Sequence, residues 1–135
     1  MKKLLLTILF FAMALIVNAQ VEKILGEWRT VDDRTGETKG IVEFYQDSIS
    51  GLYYGRTTHV YDKGVELFEP QYIGLILFKD FKEDDGMLKG GTIWEPHENK
   101  TYHGRLSYNA KDNTLIIRGS IDRFGWLGRT QIWVK

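Results

Sequence analysis

Three histidines, His59, His97 and His103, are the side chains of this sequence best suited to metal or proton chemistry. His97 and His103 lie six positions apart, with Glu95 and Glu98 beside His97. A helical zinc pair needs i, i+4 spacing, and a strand pair needs alternate positions. Six positions across a turn fit neither, so both read as surface residues of a hairpin and no metal is assigned. Ser48, Ser50, Ser107 and Ser120 stand in no nucleophile-elbow context. Glu83-Asp84-Asp85-Gly86 lacks the ligand spacing of a calcium loop, and no glycine-rich loop opens a helix to cradle phosphate. The sequence has no cysteine, which removes thiol catalysis, disulfides and cysteine–metal sites together. No catalytic set and no cofactor are assigned.

The aromatics carry more information. Tyr and Trp combine an apolar body with a hydrogen-bonding tip, which suits a cavity holding an amphipathic molecule. In the segment Thr101–Tyr108, Tyr102, Gly104, Leu106 and Tyr108 share one face. Near residue 54 the alternation puts Tyr54 with Leu52, Arg56 and Thr58. Arg118 ends the apolar run Leu115-Ile116-Ile117. Pointing inward, it needs an acceptor, because an unpaired buried charge is costly. Glu43, Glu95, Asp32 or a ligand carboxylate would serve, and an internal partner is favoured. Tyr54, Tyr102, Leu106, Tyr108 and Arg118 therefore form the candidate ligand-binding set. The competing reading is that the aromatics simply fill a solid barrel.

These residues sit on short β-like runs separated by turn signals. The runs are Gly26–Val31, Lys39–Tyr45, Leu52–Val60, Tyr72–Lys79, Gly91–Trp94, Thr101–Tyr108, Thr114–Ser120 and Arg129–Val134. The fourth has an apolar centre on both faces, which predicts burial on both sides. Tyr61–Gln71 is the one connection long enough for a lid or binding loop. No helical period is evident after residue 19. About eight strands with hairpin-length joints predict an all-β, antiparallel up-and-down barrel, since closure removes the edges. An open sandwich is the alternative.

Residues 1–19 read as a cleaved signal peptide: Lys2-Lys3, an apolar run from Leu4 to Val17, then Val17-Asn18-Ala19 at a cleavage site. The run has 14 residues, against about 20 for a membrane span, so no stable membrane anchor is expected. Residues 20–135 then form one barrel domain, periplasmic or secreted from a bacterium. Loss of Lys2 and Lys3 turns 18 basic and 18 acidic residues into a slight acidic excess. Nothing in that balance draws nucleic acid.

Two clusters carry a resemblance. One is Ile24-Leu25-Gly26-Glu27-Trp28-Arg29-Thr30-Val31-Asp32. The other is Arg118-Gly119 followed by Gly128-Arg129-Thr130-Gln131-Ile132-Trp133. With Gly36, Ile41–Tyr45, Gly74, Gly90-Gly91 and Tyr102 between them, the chain resembles the exported bacterial family called domain of unknown function 2147, from about Ile24 to Lys135. That family is lipocalin-like, so the resemblance implies a lipocalin-like barrel. Gly26-x-Trp28 is similar to the Gly-x-Trp signature whose Trp closes one barrel end and stacks on a late-strand Arg. Gly26, Trp28, Arg129 and Trp133 are thus the implied barrel-end set, with Arg129 or Arg118 as the stacking cation. Many members carry a cysteine pair in the loop matching Tyr61–Gln71 and another cysteine near His103. Their absence here rules out any role tied to them. Glu95-Pro96 followed by Asn99 replaces the usual Asp-Pro and Gly, which puts any role of that Asp in doubt.

Three functional readings stay open. The favoured one is a small apolar or amphipathic ligand held inside the barrel. The second is a protein-interaction module of the envelope with an unknown partner. The third, a hydrolase, is the least favoured, so binding is preferred to catalysis.

Overall fold

The structure is a computed structural model that describes residues 20–125 and 127–135. Residues 1–19, where a signal peptide is expected, lie outside the described residues. Nine strands follow in chain order: β1 (Gly26–Arg29), β2 (Gly40–Gln46), β3 (Tyr53–Asp62), β4 (Val65–Leu67), β5 (Ile76–Asp84), β6 (Met87–Glu95), β7 (Lys100–Asn109), β8 (Thr114–Ser120) and β9 (Gly128–Val134). All pairings are antiparallel. Eight strands close a barrel in the order β1-β2-β3-β5-β6-β7-β8-β9, and β4 hangs on β3. The expected all-β up-and-down barrel is therefore present.

Three local expectations are corrected. Residues 20–24 are helical, and their Val21 and Ile24 are buried in the core. A single turn is too short to show a period, so the sequence pattern missed it. Tyr61–Gln71 is not a free loop: Val65–Leu67 folds back on β3 with Asp62 opposite Val65 and Val60 opposite Leu67. The apolar run from Tyr72 is not one doubly buried strand. Gly74 sits at φ 82°, which favours glycine. The turn there leaves Ile73 exposed, and β5 starts two residues later. It then runs past Lys79 to Asp84, because the two-residue turn Asp85-Gly86 lets it hairpin directly into β6.

One end of the barrel is shut by residues 20–24 and by the hairpins after β2, β5 and β7. Gly26, at φ 106°, turns the chain from helix into β1. Two residues on, Trp28 is fully buried, and its Nε1–H donates to the Ile24 carbonyl at 2.7 Å. That satisfies one of the carbonyls a helix end leaves open. The ammonium of Lys135 lies 4.5 Å from the Trp28 ring centroid. The cation over the signature Trp is thus the final lysine. Arg129 and Arg118, the implied partners, lie elsewhere, because β9 brings its C-terminal end to β1 while both arginines sit toward the other end.

Above this plug the interior is a stack of aromatic rings. Phe44 and Phe78 meet edge-on at 4.9 Å, and Phe78 meets Trp133 at 5.7 Å and 85°. Phe78 and Phe81 are three apart yet both buried, because β5 is out of register with β3 between them and Asp80 takes φ 63°. Three glycines make room for these rings. A Cβ on Gly55 would lie 2.7 Å from Phe44, and one on Gly104 2.6 Å from Phe81 and 2.8 Å from Ile93. At Gly91 it would collide with Phe81 and with the Lys79 carbonyl.

Gly119 differs. A Cβ there would meet Tyr102 at 3.7 Å and Ile93 at 3.9 Å, which is ordinary contact. Gly104→Ala is therefore expected to destabilise by about 1–3 kcal/mol through overpacking, and Gly119→Ala to change stability by no more than about 0.5 kcal/mol. Urea unfolding of both variants checks this. Equal losses would mean that the interior is as tight at Gly119 as at Gly104.

Candidate functional site

The open end is formed by residues 30–39, the β3–β5 connection, residues 96–99 and residues 121–125 and 127. Inward positions change character as the strands approach it. Gln131 pairs with the inward-facing Ile117, and Arg129 pairs with Gly119. Thr57 is buried opposite Val42. Tyr102 pairs with Ile93. These groups stand above the layer of Phe78 and Trp133, and Gln131 Oε1 accepts the Trp133 Nε1–H at 2.9 Å. The mouth thus has an apolar floor and a wall of amide, hydroxyl, phenol and guanidinium. A hollow of about 540 Å³ lies on the same rim, lined by Arg29, Glu37, Thr38, Tyr61, Lys63 and Gly64.

Exposed apolar side chains collect on the loops here: Val65, Phe68 and Ile73 on one side, Ile121, Phe124 and Leu127 on the other. Phe68 is 91% exposed and Phe124 75%, although burial of such rings is strongly favourable.

The sequence-derived ligand set is not one site. Tyr102 faces the mouth, with its Oη donating to Glu98 at 3.2 Å. Leu106 is fully buried in the core. Tyr108 lies at the closed end, 6.3 Å from Trp28, donating to Asn113. These three share a face as expected, but they span the barrel from mouth to plug.

Tyr54 lies on the outer face, where it stacks with Tyr45 at 6.0 Å and donates to Asp80. Gly55 must face inward beneath Phe44, so its neighbour turns out. Arg118 also faces outward, because Leu115 and Ile117 take the inward positions. Its Nε donates to the Gly125 carbonyl at 2.9 Å and its Nη1 to Thr130 at 3.2 Å. Glu43 and Asp32, two of its expected acceptors, are engaged elsewhere: Glu43 with Arg56 at 2.6 Å, Asp32 with backbone amides.

Of the barrel-end set, Gly26 and Trp28 hold the closed end and Trp133 lies within the core. Arg129 belongs to the mouth, 3.7 Å from Asp33. His97 lies in the turn after β6 with its ring 6.3 Å from Tyr72. His103 faces outward on β7 and His59 approaches Glu66 at 3.7 Å. No group of three potential metal ligands occurs among the described residues. Sequence reasoning missed Ile93, Thr57 and Gln131 at the mouth. Only their level along the strands, set by register, brings them together.

The segment that carries Asp33 is pinned by Asp32. Its Oδ1 accepts the N–H groups of Arg34 at 2.8 Å and Thr35 at 3.1 Å. These amide bonds favour the charged form and hold the Asp32 carboxyl below its usual 3.8. A lowered folded pKa means that the stabilisation is complete above the unfolded value and is lost as pH falls through the folded one. The amide resonances of Arg34 and Thr35 are therefore expected to titrate together with a midpoint below 3.8. A midpoint at or above that value in an NMR titration would show that these amides do not hold the carboxylate.

No curated protein sequence matches the chain. Among solved structures, protein HP1028 from the human pathogen Helicobacter pylori, described as belonging to the lipocalin family, superposes with a TM-score of 0.65. It is 21% identical, and the match covers 82% of this chain and 81% of that one. At that identity the likeness speaks for the fold, which is lipocalin-like. The family model described as uncharacterized protein conserved in bacteria (DUF2147) matches residues 26–135, from the turn into β1 to the lysine over Trp28, and the chain belongs to that family.

Proposed function

We propose that this protein is an exported binding barrel that takes a small amphipathic molecule at its open end rather than in a deep interior pocket. One observation carries the reading. The closed end and middle are packed until glycines are needed, whereas inward groups become polar at Thr57, Tyr102, Gln131 and Arg129 beneath a rim of exposed apolar side chains. A ligand with an apolar body and one or two polar groups matches that order: polar contacts to the wall, apolar contacts to Phe68, Ile73, Phe124 and Leu127. Ligand sites commonly combine an apolar lining with a few placed polar groups. The likeness to a lipocalin supports a small ligand as the class. The leader pattern at residues 1–19 supports action after export.

The test is NMR titration of the purified residues 20–135 with a fatty-acid series. Shifts are expected at the amides of Ile93, Tyr102, Gly119 and Gln131 and in the rim loops. Gly119→Leu puts a branched side chain into the mouth and should weaken binding about tenfold or more, equivalent to about 1.4 kcal/mol. Shifts confined to the closed end, or binding indifferent to Gly119→Leu, would refute the mouth as the site. Native mass spectrometry of protein exported by its own host should show a mass beginning at Gln20 and carrying a small bound molecule.

A further inference from the structure

The outer wall of the barrel carries a row of cations that neither the family description nor the mouth explains. Lys82 on β5 stands directly opposite Lys89 on β6. Lys89 stands opposite Arg105 on β7, and Arg105 opposite Arg118 on β8. Four basic side chains therefore lie side by side across four adjacent strands, spanning about 14 Å at ordinary strand spacing. Like charges directly opposite one another destabilise a sheet. Elsewhere this chain avoids the cost: the equivalent outward pair between β2 and β3 is Glu43 opposite Arg56, joined at 2.6 Å. The whole sequence has equal numbers of basic and acidic residues, so the row is a local concentration rather than a general excess.

A loop overhangs one part of this row. The Arg118 Nε donates to the Gly125 carbonyl, which ties residues 121–125 to the wall. Between loop and wall is a crevice of about 100 Å³. Lys89, Arg105 and Arg118 of the row line it, joined by Arg123 from the loop and His103 from β7. Among the described residues that line it there is no carboxylate. The nearby Asp84 approaches the Lys89 ammonium at 3.5 Å from a largely exposed position, and Arg118 is already engaged by the Gly125 carbonyl and the Thr130 hydroxyl. The volume is too small for a drug-sized molecule, for which several hundred Å³ are usual.

We propose that this crevice is a binding site for a phosphoryl group. The fit is chemical. Arginine donors match phosphate oxygens in forked geometry. Cross-strand neighbours stand about 5 Å apart, so two of them donate to one phosphoryl group from either side. A bound anion offsets the repulsion along the row. The group belongs either to free phosphate or to a lipid headgroup. The exposed Ile121, Phe124 and Leu127 of the same loop would lie beside the acyl region in the second case. The cationic groups of the site are on the outside of the wall, although Phe124 and Leu127 of the loop are shared with the rim of the mouth.

The experiment has two arms, inorganic phosphate and vesicles. In the first, phosphate is titrated into the purified protein at low salt, read by NMR and by the thermal midpoint. In the second, the protein is sedimented with vesicles of phosphatidylcholine alone or mixed with phosphatidylglycerol. Arg105→Gln is compared with Lys111→Gln, which removes the same charge from the turn between β7 and β8. Binding in at least one arm is expected, with shifts at Lys89, Arg105, Arg118 and Arg123. Arg105→Gln should weaken it about tenfold, as loss of a charge-assisted contact does, and Lys111→Gln less than about twofold. Phosphate binding identifies the free ion as sufficient, and binding to the anionic vesicles alone identifies the headgroup. In phosphate-free buffer Arg105→Gln should also raise the thermal midpoint, because it relieves the row. Absence of binding in both arms, or equal losses in the two variants, would overturn the proposal.

Discussion

The barrel depends on how its seam is closed. β1 and β9 share a single register pair, Arg29 with Val134, whereas β8 and β9 share seven. Backbone bonds alone would leave that seam weak and its edges open. Trp28 compensates from inside. Its N–H holds the helical turn at Ile24, its face carries the Lys135 ammonium, and its edge lies near Tyr108. One side chain therefore joins the first helical turn, the first strand, the seventh strand and the last residue. The cation–π part contributes about 0.5–1 kcal/mol where exposed. Burial of the indole contributes more, since aromatic rings remove the largest apolar areas from water. The desolvation that goes with this contact lowers the Lys135 pKa, as expected for an ammonium set against an apolar ring.

That closure has a consequence for the interior. A narrow eight-stranded barrel either fills with side chains or keeps space for a ligand. Here Phe44, Phe78, Phe81 and Trp133 fill it, and Gly55, Gly91 and Gly104 are the concessions that let them do so. Phe44 and Phe78 at Gly55, and Phe81 at Gly91 and Gly104, fill the space of absent side chains, and no small rearrangement reopens it, because interiors are close-packed. Space for a ligand is thus pushed to the level of Gly119 and above, where polar wall residues begin. The same feature that stabilises the lower barrel leaves the mouth and the outer wall as the surfaces where the proposed binding would take place.

How much of this was legible in the sequence follows from which interactions are local. The eight-stranded antiparallel barrel is written in short alternating stretches, and it is what the chain forms; the structure places Gly26 and Trp28 at its closed end. The orientation of Tyr53 against Tyr54 was not legible, since both are aromatic and alternation fixes only that they differ. Gly55 settles it, but only once Phe44 and Phe78 are known to lie across from it. The partner of Trp28 failed for a similar reason. Arg129, Arg118 and Lys135 are all late cations, and the register of β9 against β1 selects the lysine. The cation row was hidden most deeply: Lys82, Lys89, Arg105 and Arg118 are unremarkable one at a time and become a feature only when three strand registers align them.

Charge placement separates what folding needs from what it does not. Glu43 with Arg56, Lys39 with Glu37 and Arg129 with Asp33 are exposed pairs, each worth at most about 1 kcal/mol. Of these, only Glu43 with Arg56 is an outward cross-strand pair of the barrel wall, and there an acid stands opposite the cation. The β5–β8 wall differs: Arg118 ties the loop at Gly125 and Lys89 has Asp84 nearby, yet Lys82, Lys89, Arg105 and Arg118 still stand opposite one another in register, with side chains that point away from the core. An outward row of like charge is therefore not a by-product of closing the barrel. Folding is served by Trp28 and the aromatic stack, which leaves the outer wall free to be specified by whatever approaches it from solution.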